Sequence, residues 1–320
     1  MQLGKLLTTA TIAFAAMASA ASAEPIVVGT APNLQTVPIV VAQSEGFFAE
    51  EGLELETVKF TSGRRALEAL IGGQLDVAFM AEYPVSIASL RQQPFGTFTT
   101  LSRYTANRLI SKASIGFSEI ADLAGKKIGT TKGSNTEFFT ERLLETAGVE
   151  AEVINVAPPD IVPALARSDI DAGIMFPDFY AAAAEALGDD YREYRSDAYI
   201  AWFVLSATPE MLNERSAELE GFVRALIKAE EFIEANPDAA QKALADAMEG
   251  LMPLDLIQSR WDEVEYEIGL ANGLLDVLEV EAKWVVGKGM VEAEPDRELI
   301  KSYLATGPLE AVDPSRITLE

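Results

Sequence analysis

The residues of this chain that can do chemistry are defined first by what is missing. None of its 320 residues is histidine or cysteine. That removes Ser-His-Asp and Cys-His catalysis, thiolate chemistry and nearly every zinc, copper or haem site. Carboxylates, lysine, tyrosine and serine remain, but neither a Ser-x-x-Lys motif nor a G-x-x-x-x-G-K-[ST] phosphate loop occurs. With 50 acidic residues, no pair of carboxylates stands out as an acid–base couple. The chain is therefore not expected to be an enzyme, and no cofactor or metal is expected.

The polar residues are better suited to holding a small charged molecule. Two segments, "TSGRR" (Thr61–Arg65) and "TKGSNT" (Thr131–Thr136), put small hydroxyls, a glycine and a cation at the start of a helix. Free backbone N–H groups and the helix dipole suit an anion there, although Ser62, and Ser134 or Asn135, are equally placed to act as plain N-caps. Glu82 and Asp178 each follow an apolar run and stand beside an aromatic, Tyr83 in one case and Phe176 with Phe179 in the other. Such a pair can hold an ammonium between rings; alternatively, one of them caps the helix that follows. Arg103 and Trp202 are further candidates, with Trp202 also suited to the core.

What must position these residues is an internal repeat. "ALIGGQLDVAFMAEY" (Ala69–Tyr83) echoes "ALARSDIDAGIMFPD" (Ala164–Asp178). Upstream, "VVGTAPN" pairs with "KIGTTKGSN", and "GLELETVKF" with "GVEAEVINV". Short apolar runs at 26–30, 53–60 and 76–80, and again at 127–131, 151–156 and 171–175, read as buried parallel strands. Helices over 36–51, 63–71 and 136–147 fall between them and stop at glycines. Two α/β lobes built this way face each other across a cleft, with ligands expected at the carboxyl ends of the strands.

Residues 98–113 and 191–207 look extended and are the expected crossings between lobes, near Tyr104 and near Ser196–Trp202. Two crossings make a hinge. The expected division is lobe I at 24–104 and 203–320, and lobe II at 105–202. From Pro209 the pattern turns wholly helical, opened by the pairs Thr208-Pro209 and Asn236-Pro237. Leu219, Phe222, Val223, Leu226 and Ile227 form one buried face that packs back on lobe I. Residues 305–320 read as a loosely held tail.

Residues 1–23 read as a cleavable signal peptide, with Lys5, an apolar stretch over Leu6–Ala18 and Ala21-Ser22-Ala23 as cleavage site. Its 25 basic and 50 acidic residues give the chain a net charge of −25. Nucleic acid and anionic membrane surfaces are thereby repelled, whereas local basic groups inside a cleft can still take an anion. The expected location is a bacterial periplasm.

The segments "APNLQTVPIVVAQSEGFFAEEGLELE", "SGRRALEALIGGQLDVAFMAEYP", "IADLAGKKIGTTKGS" and "LARSDIDAGIMFPDFY" together resemble the solute-binding proteins of ABC importers, in the family of sulfonate, taurine, nitrate and thiamine-pyrimidine binders. The resemblance spans about 27–208. It implies a two-lobed type II periplasmic binding fold (α/β, each lobe a parallel-dominated sheet flanked by helices) that acts as a monomer, closes on a small ligand and docks on a membrane permease. Carried over by position, ligand contacts would be Asn33, Gln35, Ser62, Gly63, Arg64, Glu82, Tyr83, Ser134, Asn135, Thr136, Phe176 and Asp178. Many relatives have a Trp-Glu-Pro-like triplet where this chain has Phe176-Pro177-Asp178. The implied ligand is a sulfonate-like anion or zwitterion, with a thiamine-pyrimidine precursor binder or a menaquinone-biosynthesis-like enzyme as alternatives. The fungal pyrimidine synthases of this fold rely on histidine, which this chain lacks.

Overall fold

The computed structural model describes residues 24–196 and 199–320; the signal-peptide reading at 1–23 falls outside them. The strands are β1 (Ile26–Gly29), β2 (Leu55–Val58), β3 (Val77–Ala81), β4 (Gly96–Tyr104), β5 (Arg108–Lys112), β6 (Lys127–Thr130), β7 (Glu152–Asn155), β8 (Ala172–Ile174), β9 (Tyr191–Arg195), β10 (Ala201–Ala207), β11 (Val264–Tyr266), β12 (Leu270–Ala271) and β13 (Ile317–Thr318). The helices of the first half are α1 (Val37–Ser44), α2 (Phe47–Glu50), α3 (Gly63–Ile71), α4 (Glu82–Leu90), α5 (Asn135–Ala147), α6 (Ile161–Ala166) and α7 (Tyr180–Leu187). Those of the second half are α8 (Pro209–Asn213), α9 (Ser216–Ala235), α10 (Pro237–Ala247), α11 (Leu254–Arg260), α12 (Asn272–Gly287), α13 (Arg297–Lys301) and α14 (Gly307–Val312).

Two sheets result. One runs β11-β4-β10-β3-β1-β2 and the other β7-β6-β8-β5-β9. The repeat appears as the same parallel triplet in each, β2-β1-β3 and β7-β6-β8. One aspartate braces each copy. Asp76 accepts from the Val27 amide at 2.8 Å, and Asp171 accepts from the Lys127 amide at 2.9 Å. Each returns its own N–H to the carbonyl of the same residue, closing a two-bond bridge at the start of the first strand. The tight turn before it uses a left-handed residue in both copies, Gly73 in one and Ser168 in the other.

The sheets are more mixed than a parallel-dominated reading implies. β5, β9 and β10 all pair antiparallel with their neighbours, because these strands carry the chain out of one sheet and back again. The chain passes from β4 to β5 and returns from β9 to β10, so the extended segments do connect the two sheets. At the crossings Asn107 is a staple: its carbonyl accepts from the Ser196 amide at 3.4 Å and its side chain donates to the Tyr199 carbonyl at 3.1 Å.

Three expectations change. The helix expected over 36–51 is interrupted, because Gly46 adopts φ +78° and starts a new turn at Phe47. The C-terminal third is not wholly helical, since β11 extends the first sheet beside β4. The last residues are not a loose tail. α14 packs on α9 with Pro308 and Leu309 buried, β13 pairs with β12, and Arg316 pairs with Glu230 at 2.5 Å. Apolar burial of the short α14 fastens a segment that its polar composition makes look free. Replacing Leu309 with alanine is expected to cost about 2–5 kcal/mol in urea unfolding; a change within about 0.5 kcal/mol, typical of a surface site, would mean that the segment is not docked in solution.

Candidate functional site

The loops after β1, β2, β3, β6 and β8 converge on one cavity between the sheets, with a volume of about 120 Å³. From the β1 side come Thr30, Asn33 and Gln35. Asn33 is chiefly an organiser: its Oδ1 accepts from the Gln35 and Thr36 amides at 2.9 and 3.1 Å. Gln35 is thereby fixed, and its carbonyl accepts from Ser102 at 2.9 Å. Its side-chain Nε2, by contrast, has no hydrogen-bond partner although the residue is only 2% exposed. The Thr30 hydroxyl, on a residue 7% exposed, is also without a partner. Buried donors left unmade are costly unless something else binds them, and here both belong to the cavity lining.

The β2 side supplies Ser62, Gly63 and Arg64. Ser62 caps α3, accepting from the Arg65 amide at 3.4 Å. Gly63 lies so close to β3 that a Cβ there would sit 2.6 Å from the Met80 Cβ. Arg64 pairs with Glu68 at 2.5 Å, and its stem crosses to the opposite lobe, where it covers Gly133 (φ +76°). A side chain on Gly133 would meet Arg64 as well as strain the backbone.

Across the cleft lie Ser134 and Asn135 at the start of α5, and Phe176, Pro177 and Asp178 after β8. Ser134 occupies the N-cap position without capping; its hydroxyl donates to the Thr131 carbonyl at 2.7 Å. Asp178 is exposed to the cleft, yet the protein crowded around it raises its pKa to about 6, with Arg260 pulling the other way. Arg64 and Asp178 are the charged side chains of the lining, one of each sign. The walls are apolar, including Phe60 and the stacked pair Phe79–Phe203, whose ring centroids lie 5.6 Å apart.

Three of the expected contacts point elsewhere. Glu82 is fully buried; its oxygens accept from the Tyr199 hydroxyl and from the Trp202 amide at 3.0 Å, so it does not face the cavity. Tyr83 is buried against Phe138 and Trp284. Thr136 is tied to Thr130 and Ser134 by its hydroxyl. Arg103 and Trp202 also miss the cavity, because Arg103 pairs with Glu265 at 2.7 Å and stacks on the Trp202 ring. Thr30, Phe60, Phe79 and Phe203 are among the lining residues that sequence reasoning missed. Thr30 ends a strand and carried its signal in that position; Phe203 carried none, since its nearness to Phe79 depends on β10 lying beside β3.

Chemically, the lining combines one cation and one carboxylate with apolar walls. Among the described residues no group of three His, Cys, Asp or Glu side chains could hold a metal ion, and no helix is long and apolar enough to cross a membrane. Because Gln35 has an orphan donor, Gln35→Leu is expected to raise the stability of the ligand-free protein by about 1 kcal/mol. Unfolding of both proteins checks this, and a destabilised variant would show that the amide has a partner in solution.

The NMT1/THI5-like family model matches residues 33–240. The taurine-binding periplasmic protein of Escherichia coli is 28% identical over 227 residues, covering 68% of this chain and 69% of the relative. A 4-amino-5-hydroxymethyl-2-methylpyrimidine phosphate synthase of Legionella pneumophila is 24% identical, covering 72% of this chain and 76% of the relative. Among solved structures, the alkanesulfonate-binding protein SsuA from Xanthomonas axonopodis pv. citri, bound to MOPS, superposes with a TM-score of 0.74 at 16% identity, over 88% of this chain and 97% of that one. The fold is that of the periplasmic binding proteins.

Proposed function

This chain belongs to the NMT1/THI5-like family, and on that premise we propose that it is the periplasmic substrate-binding component of an ABC importer. It captures a small organic anion or zwitterion of the sulfonate or taurine class between its lobes and delivers it to a membrane permease. The observation that carries this reading is the lining itself: one cation, one carboxylate, three unpartnered buried donors (on Thr30, Gln35 and Arg64) and aromatic walls in about 120 Å³. That is small beside the roughly 300–1,000 Å³ of drug-sized pockets, and suits a compact ligand.

The roles follow from placement. Thr30, Gln35, the Ser62–Gly63 and Ser134–Asn135 segments and Arg64 receive the acid group. Asp178 takes the amine of a zwitterion, and Phe79, Phe176 and Phe203 flank the apolar part. Residues 24–104 with 203–320 form one lobe and 105–202 the other. Contacts to both lobes exist only when they are closed, so the ligand drives closure. The protein acts as a monomer, exported by its signal peptide. A second reading, a thiamine-pyrimidine precursor, is favoured by the aromatic walls. Pyrimidine synthesis itself is disfavoured by the absence of histidine.

Calorimetry with taurine, ethanesulfonate and a formylaminopyrimidine separates these readings. Taurine is expected to bind, and Arg64→Ala to weaken it at least about tenfold. Unchanged affinity in that variant would remove Arg64 from the anion site. Asp178 must be ionised to hold an ammonium, so taurine affinity should fall as the pH drops through about 6. Ethanesulfonate, which has no amine, should show no such fall, and neither should taurine with Asp178→Asn.

A further inference from the structure

Behind the cavity wall two carboxyls are buried together. Glu82, at the start of α4, and Glu281, in the middle of α12, are both 0% exposed and lie within hydrogen-bond reach of each other. The Tyr199 hydroxyl and the Trp202 amide donate to Glu82, and Ser86 on α4 donates to Glu281 at 2.7 Å. The other Glu281 oxygen has no partner. No lysine or arginine is among the groups acting on Glu281, and the main influences on Glu82 are burial, Tyr199, Trp202 and Glu281. From α5, Asn135 approaches the Tyr199 hydroxyl, while Glu137 and Glu141 face Tyr83 and add further negative charge. Phe138 and Phe139 pack on the Tyr199 ring and keep the cluster dry.

Two carboxylates without a counter-cation cannot both be ionised in such a place. A proton on Glu281 would turn its orphan oxygen into a donor for Glu82. The charge left on Glu82 is then met by Tyr199 and the Trp202 amide. Asn135, a residue of the cavity lining, in turn approaches the Tyr199 hydroxyl.

We propose that Glu82 and Glu281 share one proton, and that this proton, acting through Tyr199, positions Asn135 and so couples cavity geometry to pH. Glu82, Glu281 and Tyr199 are thus positioning residues. The link to affinity rests on the binding function proposed above; the shared proton does not. Burial pushes both carboxyls above the ordinary glutamate range, so the folded pair still holds a proton at a pH where the unfolded chain has released it. Stability from the pair is therefore present below the ordinary glutamate range, about 4.5, and is lost as the pH rises through about 7.

The test begins without ligand. The melting midpoint of the wild-type protein is expected to fall from about pH 5 to about pH 9, and Glu281→Gln, whose amide is a permanent donor, is expected to remove most of that fall. Equal slopes in the two proteins would overturn the shared proton. The Asn135 side-chain amide resonance, assigned by its loss in Asn135→Ala, should shift with the same midpoint in the wild type. In Tyr199→Phe it should cease to shift while the melting slope persists; a shift that survives in that variant would overturn the relay. If Glu281→Gln does not fold, the wild-type and Tyr199→Phe titrations still decide both parts. With taurine as probe, wild-type affinity should weaken as pH rises past about 7, and Tyr199→Phe should abolish that trend. A trend that is absent in the wild type despite binding would overturn the coupling. Failure of taurine to bind at all would count against the ligand reading and leave the ligand-free titrations to judge the proton.

Discussion

The arrangement of the two lobes depends on a guanidinium buried where the chain crosses between them. Arg108, 4% exposed, pairs with Glu263 and with Glu193 at 3.2 Å, and lies over the Tyr180 ring at 4.8 Å. Glu263 also accepts from the Tyr104 hydroxyl at 3.0 Å, and its carbonyl accepts from the Thr105 amide. Both crossings and the C-terminal third are thereby held at one point. A buried ion pair of this kind adds little net stability, but removing one partner strands the other charge. Its effect here is geometric: it sets which loops can meet across the cleft. Arg260 reinforces it from α11, donating to the Pro177 carbonyl at 3.0 Å beside Asp178.

Around that point the structure separates scaffold from specificity. The scaffold is symmetric, with Asp76 and Asp171 making the same bridge in each repeat. The lining is not. After β3 the chain turns Glu82 inward to a buried acid pair, whereas after β8 it leaves Asp178 facing the cleft. Two carboxylates in matched sequence positions thus have unrelated electrostatic surroundings. One lobe contributes the orphan donors of Thr30 and Gln35, and the other contributes the carboxylate.

Much of this was legible in the chain. Apolar runs bounded by glycine and polar residues marked the parallel strands. Ser62 and Gly72 bounded α3, and the extended segments marked the passage from one sheet to the other. Asn33, Gln35, Ser62, Gly63, Arg64, Ser134, Asn135, Phe176 and Asp178 line the cavity because strand ends are local features, and a parallel sheet brings its carboxyl ends to one edge. Glu82, Tyr83 and Thr136 were misread for the complementary reason. They occupy the same local positions, but the direction each side chain takes depends on what α12 and α5 pack against it.

The sequence by itself determined the elements, the repeat, the absence of histidine and cysteine chemistry and the edge at which a ligand would sit. These follow from local backbone preference, composition and a period along the chain. Only the tertiary structure decided which acid faces the ligand and which is buried beside Glu281, that Phe203 joins Phe79 in the wall, and that residues 305–320 are fastened. Those outcomes depend on contacts between residues far apart in the chain. Glu82 and Glu281, or Phe79 and Phe203, have no spacing that marks them as neighbours until the sheet order and helix packing bring them together.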